Sequence, residues 1–184
     1  MKPWPLLLVL LLAGCGAKTR DYFPLKIGNK WTYEVTIDND FEIIDLTVAE
    51  EAPVGDHQGF LLQSEMGDSR LAWDGDTLLA AELAGTRYSP PIPLYAADGT
   101  EWSGVVQAES RQVAGTATVS RSEEELVVGG RSYKTVKCVL ARDSGDDHIQ
   151  LTTWFYSGMG ILRQEQRSGP ALERDRNIVF VSGP

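Results

Sequence analysis

Few side chains in this 184-residue sequence stand where chemistry could be done. Nucleophilic catalysis needs a serine or cysteine with a base in hydrogen-bond reach. The two histidines, His57 and His148, sit in Gly55-Asp56-His57-Gln58-Gly59 and Asp146-Asp147-His148, polar contexts that read as solvated loops. No Gly-x-Ser-x-Gly turn, phosphate-cradling glycine loop or basic patch occurs in the sequence. Two histidines and one free cysteine cannot close a zinc site without carboxylates. Asp38-Asn39-Asp40 and Asp143-Ser144-Gly145-Asp146-Asp147 gather oxygen atoms. Neither has the sixth-position glycine and twelfth-position glutamate of a helix-flanked calcium loop, and both read as turn formers. Glu50-Glu51 and Glu123-Glu124-Glu125 read as solvated faces rather than paired catalytic acids. The expectation is a protein that is not an enzyme and carries no cofactor and no metal.

Cys15 is different because of what precedes it. Met1 to Pro5 carries one basic side chain, and Leu6 to Ala13 is an uninterrupted apolar run, LLLVLLLA. A basic start, a short apolar stretch and small residues before a cut site predict a secretory signal. The run falls well short of the roughly 20 apolar residues that a membrane-spanning helix needs. Leu12-Ala13-Gly14-Cys15 resembles the lipobox of bacterial lipoproteins. That resemblance implies a diacylglycerol thioether on Cys15, cleavage just before it after recognition of Leu12, Ala13 and Gly14, and acylation of the new amino terminus, for instance by palmitate. Two lipid signals suffice for stable anchoring. Gly16, where enteric sorting rules would look for Asp, points by the same resemblance to the outer membrane rather than the inner one. Residues 1–14 are thus read as leader and 15–20 as lipidated tether, with a β-rich domain over 21–184 held close to the bilayer.

Removing the leader leaves 170 residues, enough for one domain with a sizeable core. It also takes one basic residue away and moves the formal charge from −9 to −10. An acidic body does not hold nucleic acid through phosphate contacts, and anionic headgroups repel it, so attachment to the membrane falls to the lipid alone. With Cys15 acylated, Cys138 has no partner for an internal disulfide. It shares one strand face with Val136 and Leu140 and reads as a small buried hydrophobe.

The elements that must position these residues are strands. Trp31, Tyr33, Val35 and Ile37 alternate with Thr32, Glu34 and Thr36. After the turn at 38–40, residues 41–48 form a second strand. There Phe41 and Ile43 are out of phase with Ile44, Leu46 and Val48, which predicts a β-bulge. Further strands are expected at 60–66, 70–73, 102–109, 113–121, 126–128, 133–141, 149–156, 161–166 and 177–181. Residues 76–85 read as strand slightly ahead of a two-turn helix. The proline-rich stretch Ser89-Pro90-Pro91-Ile92-Pro93 should not be a central strand, since proline donates no ladder hydrogen bond. The expected fold is all-β: an antiparallel, strongly curved sheet, flattened barrel or sandwich of about 10–12 short strands with little or no helix after the leader.

The second half echoes the first. Pro24-Leu25 leads through Gly28 to Trp31, as Pro93-Leu94 leads through Gly99 to Trp102, and Trp73 is answered by Trp154. Two related halves, 21–89 and 90–184, are the expectation. Tyr22-Phe23-Pro24-Leu25-Lys26-Ile27-Gly28-Asn29-Lys30-Trp31-Thr32-Tyr33 resembles the opening, and Trp154-Phe155-Tyr156-Ser157-Gly158-Met159-Gly160-Ile161-Leu162-Arg163 the closing motif, of a family of uncharacterised bacterial envelope lipoproteins. The resemblance implies fold and location, and no catalytic residue. Trp31, Tyr33, Trp102, Trp154 and Tyr156 are the aromatics expected to build the core or line a ligand site. The functional expectation is a non-enzymatic envelope protein that binds or supports a protein partner, with a carrier or sensor of an apolar, lipid-like ligand as the alternative.

Overall fold

A computed structural model describes residues 19–37 and 40–184; the leader, the lipobox with Cys15, and Asp38-Asn39 lie outside the described residues. One 3-10 turn, Thr19–Tyr22, precedes twelve strands. These are β1 (Lys30–Ile37), β2 (Asp40–Val54), β3 (His57–Gln63), β4 (Ser69–Asp74), β5 (Thr77–Leu83) and β6 (Thr86–Tyr95). The rest are β7 (Thr100–Ala108), β8 (Arg111–Val128), β9 (Arg131–Ser144), β10 (Asp147–Tyr156), β11 (Gly160–Ser168) and β12 (Arg174–Ser182). Each strand pairs antiparallel with its neighbours in sequence, and β1 pairs with β12, so the sheet closes into an up-and-down barrel.

Period-two patterning decides what faces inward. Trp31, Tyr33 and Val35 are buried inside, while Thr32, Glu34 and Thr36 face out. Val136, Cys138 and Leu140 line the interior from β9, and burial pushes the Cys138 thiol up to about 11. The meander places six turns at one end and five at the other. The turns after β2, β4, β6, β8 and β10 share one end with the chain's entry into β1, and the amino-terminal segment plugs that end. Phe23 is fully buried and stacks on Trp31, and Trp73 Nε1 donates to the Phe23 carbonyl at 2.9 Å. Trp31 Nε1 donates to the Met159 carbonyl at 2.7 Å. Gly160, at φ +96°, allows this packing: a Cβ there would lie 2.8 Å from Trp31 Nε1 and 3.0 Å from the Phe23 ring.

Four expectations change. The β1–β2 ladder is regular from Asp40 to Thr47, so no bulge separates Ile43 from Ile44; the irregularity lies between Val48 and Glu50. Phe41 and Ile43 are out of phase because they are apolar side chains on the outer face, 72% and 57% exposed. The segments expected at 113–121 and 126–128 are one strand, β8, whose hairpin with β9 runs on past the last β7 pair at Val119. Glu123, Glu124 and Glu125 stay exposed along that extension. Ser89 to Pro93 lies within β6, and so does the expected boundary between halves; the physical objection to proline appears as an open seam instead. The β6–β7 ladder contains only Arg87, Tyr88 and Ser89 against Gln107, Val106 and Val105. Trp102 Nε1 donates across it to the Pro90 carbonyl at 3.0 Å. Finally, His57 and His148 lie at the beginnings of β3 and β10 rather than in loops, beside Asp74 and Asp143. Residues 77–83 form a strand, and the paired tryptophans fall on strands six apart, β1 with β7 and β4 with β10.

Candidate ligand cavity in the open end of the barrel

The end opposite the aromatic plug is hollow. A cavity of about 600 Å³ opens between the other set of hairpins, within the roughly 300–1,000 Å³ range of small-molecule sites. It exists because the inward positions that carry aromatics near the plug carry smaller or polar side chains toward the mouth. Ser64, Gly67, Ser69, Ala84, Thr86 and Ala108 line it where bulk would fill it. Deeper in the wall are Ile44, Leu46, Leu140, Leu151 and Ile178.

Arg142 is the main polar feature. It continues the inward face of β9 beyond Val136, Cys138 and Leu140, and its side chain is only 4% exposed. One terminal nitrogen donates to the Tyr88 hydroxyl at 3.0 Å and the other to Asp147 Oδ2 at 2.7 Å. Its Nε is buried with no hydrogen-bond partner, and so is the Tyr33 hydroxyl. Both residues line the cavity. Buried polar atoms are normally paired, so each orphan calls for an explanation. Burial raises the Tyr88 hydroxyl's pKa, with Arg142 acting in the opposite direction, and burial raises that of Tyr33 strongly. Both hydroxyls therefore keep their protons and can donate at neutral pH. Gln164 and Gln166 reach the same space from β11, with Gln164 donating to the Thr153 hydroxyl at 3.0 Å.

Of the five aromatics singled out from the sequence, the cavity wall contains Tyr33 alone. Trp31 belongs to the plug, and Trp102 packs edge-on to Tyr88 beside the open seam. Trp154 and Tyr156 join Leu126 and Leu162 in a separate cluster, where Arg163 and Lys137 cover the Trp154 ring. Sequence reasoning missed Arg142 and Tyr88. The available signal was a charged residue extending the apolar phase of 136, 138 and 140. Asp147, one of the turn-forming carboxylates, is engaged by Arg142, and Asp143 by His148. Among the described residues no three His, Cys, Asp or Glu side chains converge as a metal site.

No protein-family model and no curated protein matches the sequence. In three dimensions the chain is similar to a crystal structure from Parabacteroides distasonis provisionally named a lipoprotein. The TM-score is 0.52 at 12% identity, over 89% of this chain and 98% of that one. It is also similar to an exported protein from Bacteroides fragilis, likewise provisionally named and described as having a YmcC-like fold. There the TM-score is 0.54 at 10% identity, over 88% of this chain and 98% of the other. At these identities what is shared is the barrel itself.

Proposed function

We propose that this chain is a lipid-anchored envelope protein that binds a small, partly apolar ligand in the open end of its barrel without transforming it. The observation that carries this reading is the cavity, with the Tyr33 hydroxyl and Arg142 Nε buried on its wall and unpaired. Lipidation of Cys15 and the outer membrane as address rest on the lipobox and Gly16. The shared fold with exported and lipoprotein-named chains agrees with an envelope location. Outward-facing Glu34, Glu101 and Glu165 suit a barrel that stands in water rather than in lipid. The entering chain lies at the plugged end, so the anchor would hold that end toward the bilayer and turn the mouth away from it. Such a geometry suits handing a ligand to or from a partner facing the mouth. Exposed Phe41 and Ile43 on the outer face favour a second reading, docking of an envelope protein on β2.

The twelve strands close on one another within residues 30–182, so the unlipidated chain from Gly16 carries the complete barrel. Native mass spectrometry of that chain, secreted to a bacterial periplasm, tests the proposal. An adduct of small-molecule mass is expected. Ile149→Trp, which places an indole in the cavity, should abolish it, and Phe41→Asp on the outer wall should not. A clean apo mass for the wild type, or an adduct indifferent to Ile149→Trp, would remove the carrier reading and leave protein docking.

A further inference from the structure

We infer that the cavity selects ligands with one anionic group, a carboxylate or a phosphate, on an apolar chain, and that Arg142 receives the anion. The inference rests on the cavity being a ligand site and adds the ligand's chemistry.

Charge is the first argument. The chain is acidic, with a formal charge of −9, yet the charged side chains lining the cavity are Arg111, Arg142 and Arg176 against Asp147 alone. After Asp147 is paired with Arg142, Arg111 and Arg176 form no ion pair among the described residues. The cavity wall is therefore net positive in a negative body, inside a rim that carries exposed Asp40, Glu65, Asp68, Glu109, Asp143 and Asp146, and it favours an anion within the cavity.

The second argument is the geometry of Arg142. A guanidinium carries five N–H donors in a rigid fork suited to carboxylate and phosphate oxygens. Here the terminal nitrogens hold Tyr88 and Asp147 while Nε, on the same fork, is buried and unpartnered. The Asp147 side chain is 46% exposed, so it can turn to water when a ligand oxygen takes its place. The Tyr88 hydroxyl accepts from Arg142 and keeps its own proton for a ligand oxygen. A charge buried this deeply is costly unless it is fully hydrogen-bonded, and a bound anion completes the set.

The third argument is what lies beyond the arginines. Ile44, Leu46, Leu140, Leu151, Ile161 and Ile178 form apolar wall, suited to an alkyl chain and unsuited to a second charge.

Displacement of the neutral fluorophore N-phenyl-1-naphthylamine from the unlipidated chain tests this. Myristate, tetradecyl phosphate and the uncharged monomyristoylglycerol are the competitors. The two anions should displace the probe at roughly tenfold lower concentration than the neutral competitor, and the stronger anion identifies the headgroup source. Arg142→Gln should erase that advantage while probe affinity is retained. If Arg142→Gln fails to fold, Arg111→Gln with Arg176→Gln at the mouth should still cut the advantage at least about threefold. Equal displacement by all three competitors, or an advantage unchanged in both variants, overturns the anion assignment and leaves the cavity reading standing. A probe that binds nowhere and ligands that bind nowhere overturn the cavity reading itself.

Discussion

The plugged and open ends of the barrel share the same strands and differ in how their interiors are completed. At the plug, Trp31 and Trp73 place their ring N–H groups on the Met159 and Phe23 carbonyls, and aromatic faces fill the space between. Tyr95 sits edge-on to Phe155 and to Trp73 there. Toward the mouth, side chains shrink, and Arg142 Nε and the Tyr33 hydroxyl are left without partners. A region that finishes its own packing is structural. A region that combines unfilled volume with unpaired polar atoms on its wall is what the proposed ligand site requires.

Substitutions can break that contrast. Trp31→Ala should cost about 3–5 kcal/mol, the usual range for truncating a buried aromatic, read as a fall in the urea midpoint at unchanged slope. An equally small cost at both ends, on comparing Trp31→Ala with Leu140→Ala on the cavity wall, would mean that the plug is no better packed than the mouth. Tyr33→Phe has the opposite sign. Removing an unsatisfied buried hydroxyl should leave the empty protein unchanged or more stable by about 1 kcal/mol, while ligand affinity falls. A loss of stability would show that this hydroxyl is paired in solution and is not held ready for a ligand. Cys138 adds no pH dependence near neutrality. Burial moves its thiol from 9.0 to about 11, so the folded state retains a proton that the unfolded chain releases. Its contribution is intact below about 9 and is lost as the pH rises toward 11. The difference in urea midpoint between wild type and Cys138→Val, followed across that window, isolates this from the tyrosines.

The all-β fold was legible because alternation survives in nearly every strand and Gly- or Asp-bearing turns mark most hairpins. It failed where apolar character and burial part company. Phe41 and Ile43 are apolar but outside, and the β8–β9 hairpin extension keeps Glu123 to Glu125 exposed in strand just before the buried Leu126. The prolines of β6 are accommodated by leaving one seam mostly unpaired, a tertiary solution with no local signature. The cavity was harder to foresee because it is made by what is missing. Serines, alanines and glutamines at inward positions look unremarkable singly, and only barrel closure brings them to one mouth. Arg142 was missed because the expected strand stopped at 141, although its phase with Val136, Cys138 and Leu140 put a charge on an interior face.

The most direct test of the division between a structural plug and a receptive mouth is a methyl NMR titration of the unlipidated chain with myristate. Saturable shifts are predicted for the methyl groups of Leu140, Ile149, Leu151 and Ile178 on the cavity wall, with Leu62, Leu78 and Ile92 in the filled core unmoved. Shifts confined to outer-face methyls such as those of Ile43 and Val127, or no saturable shift at all, would contradict it.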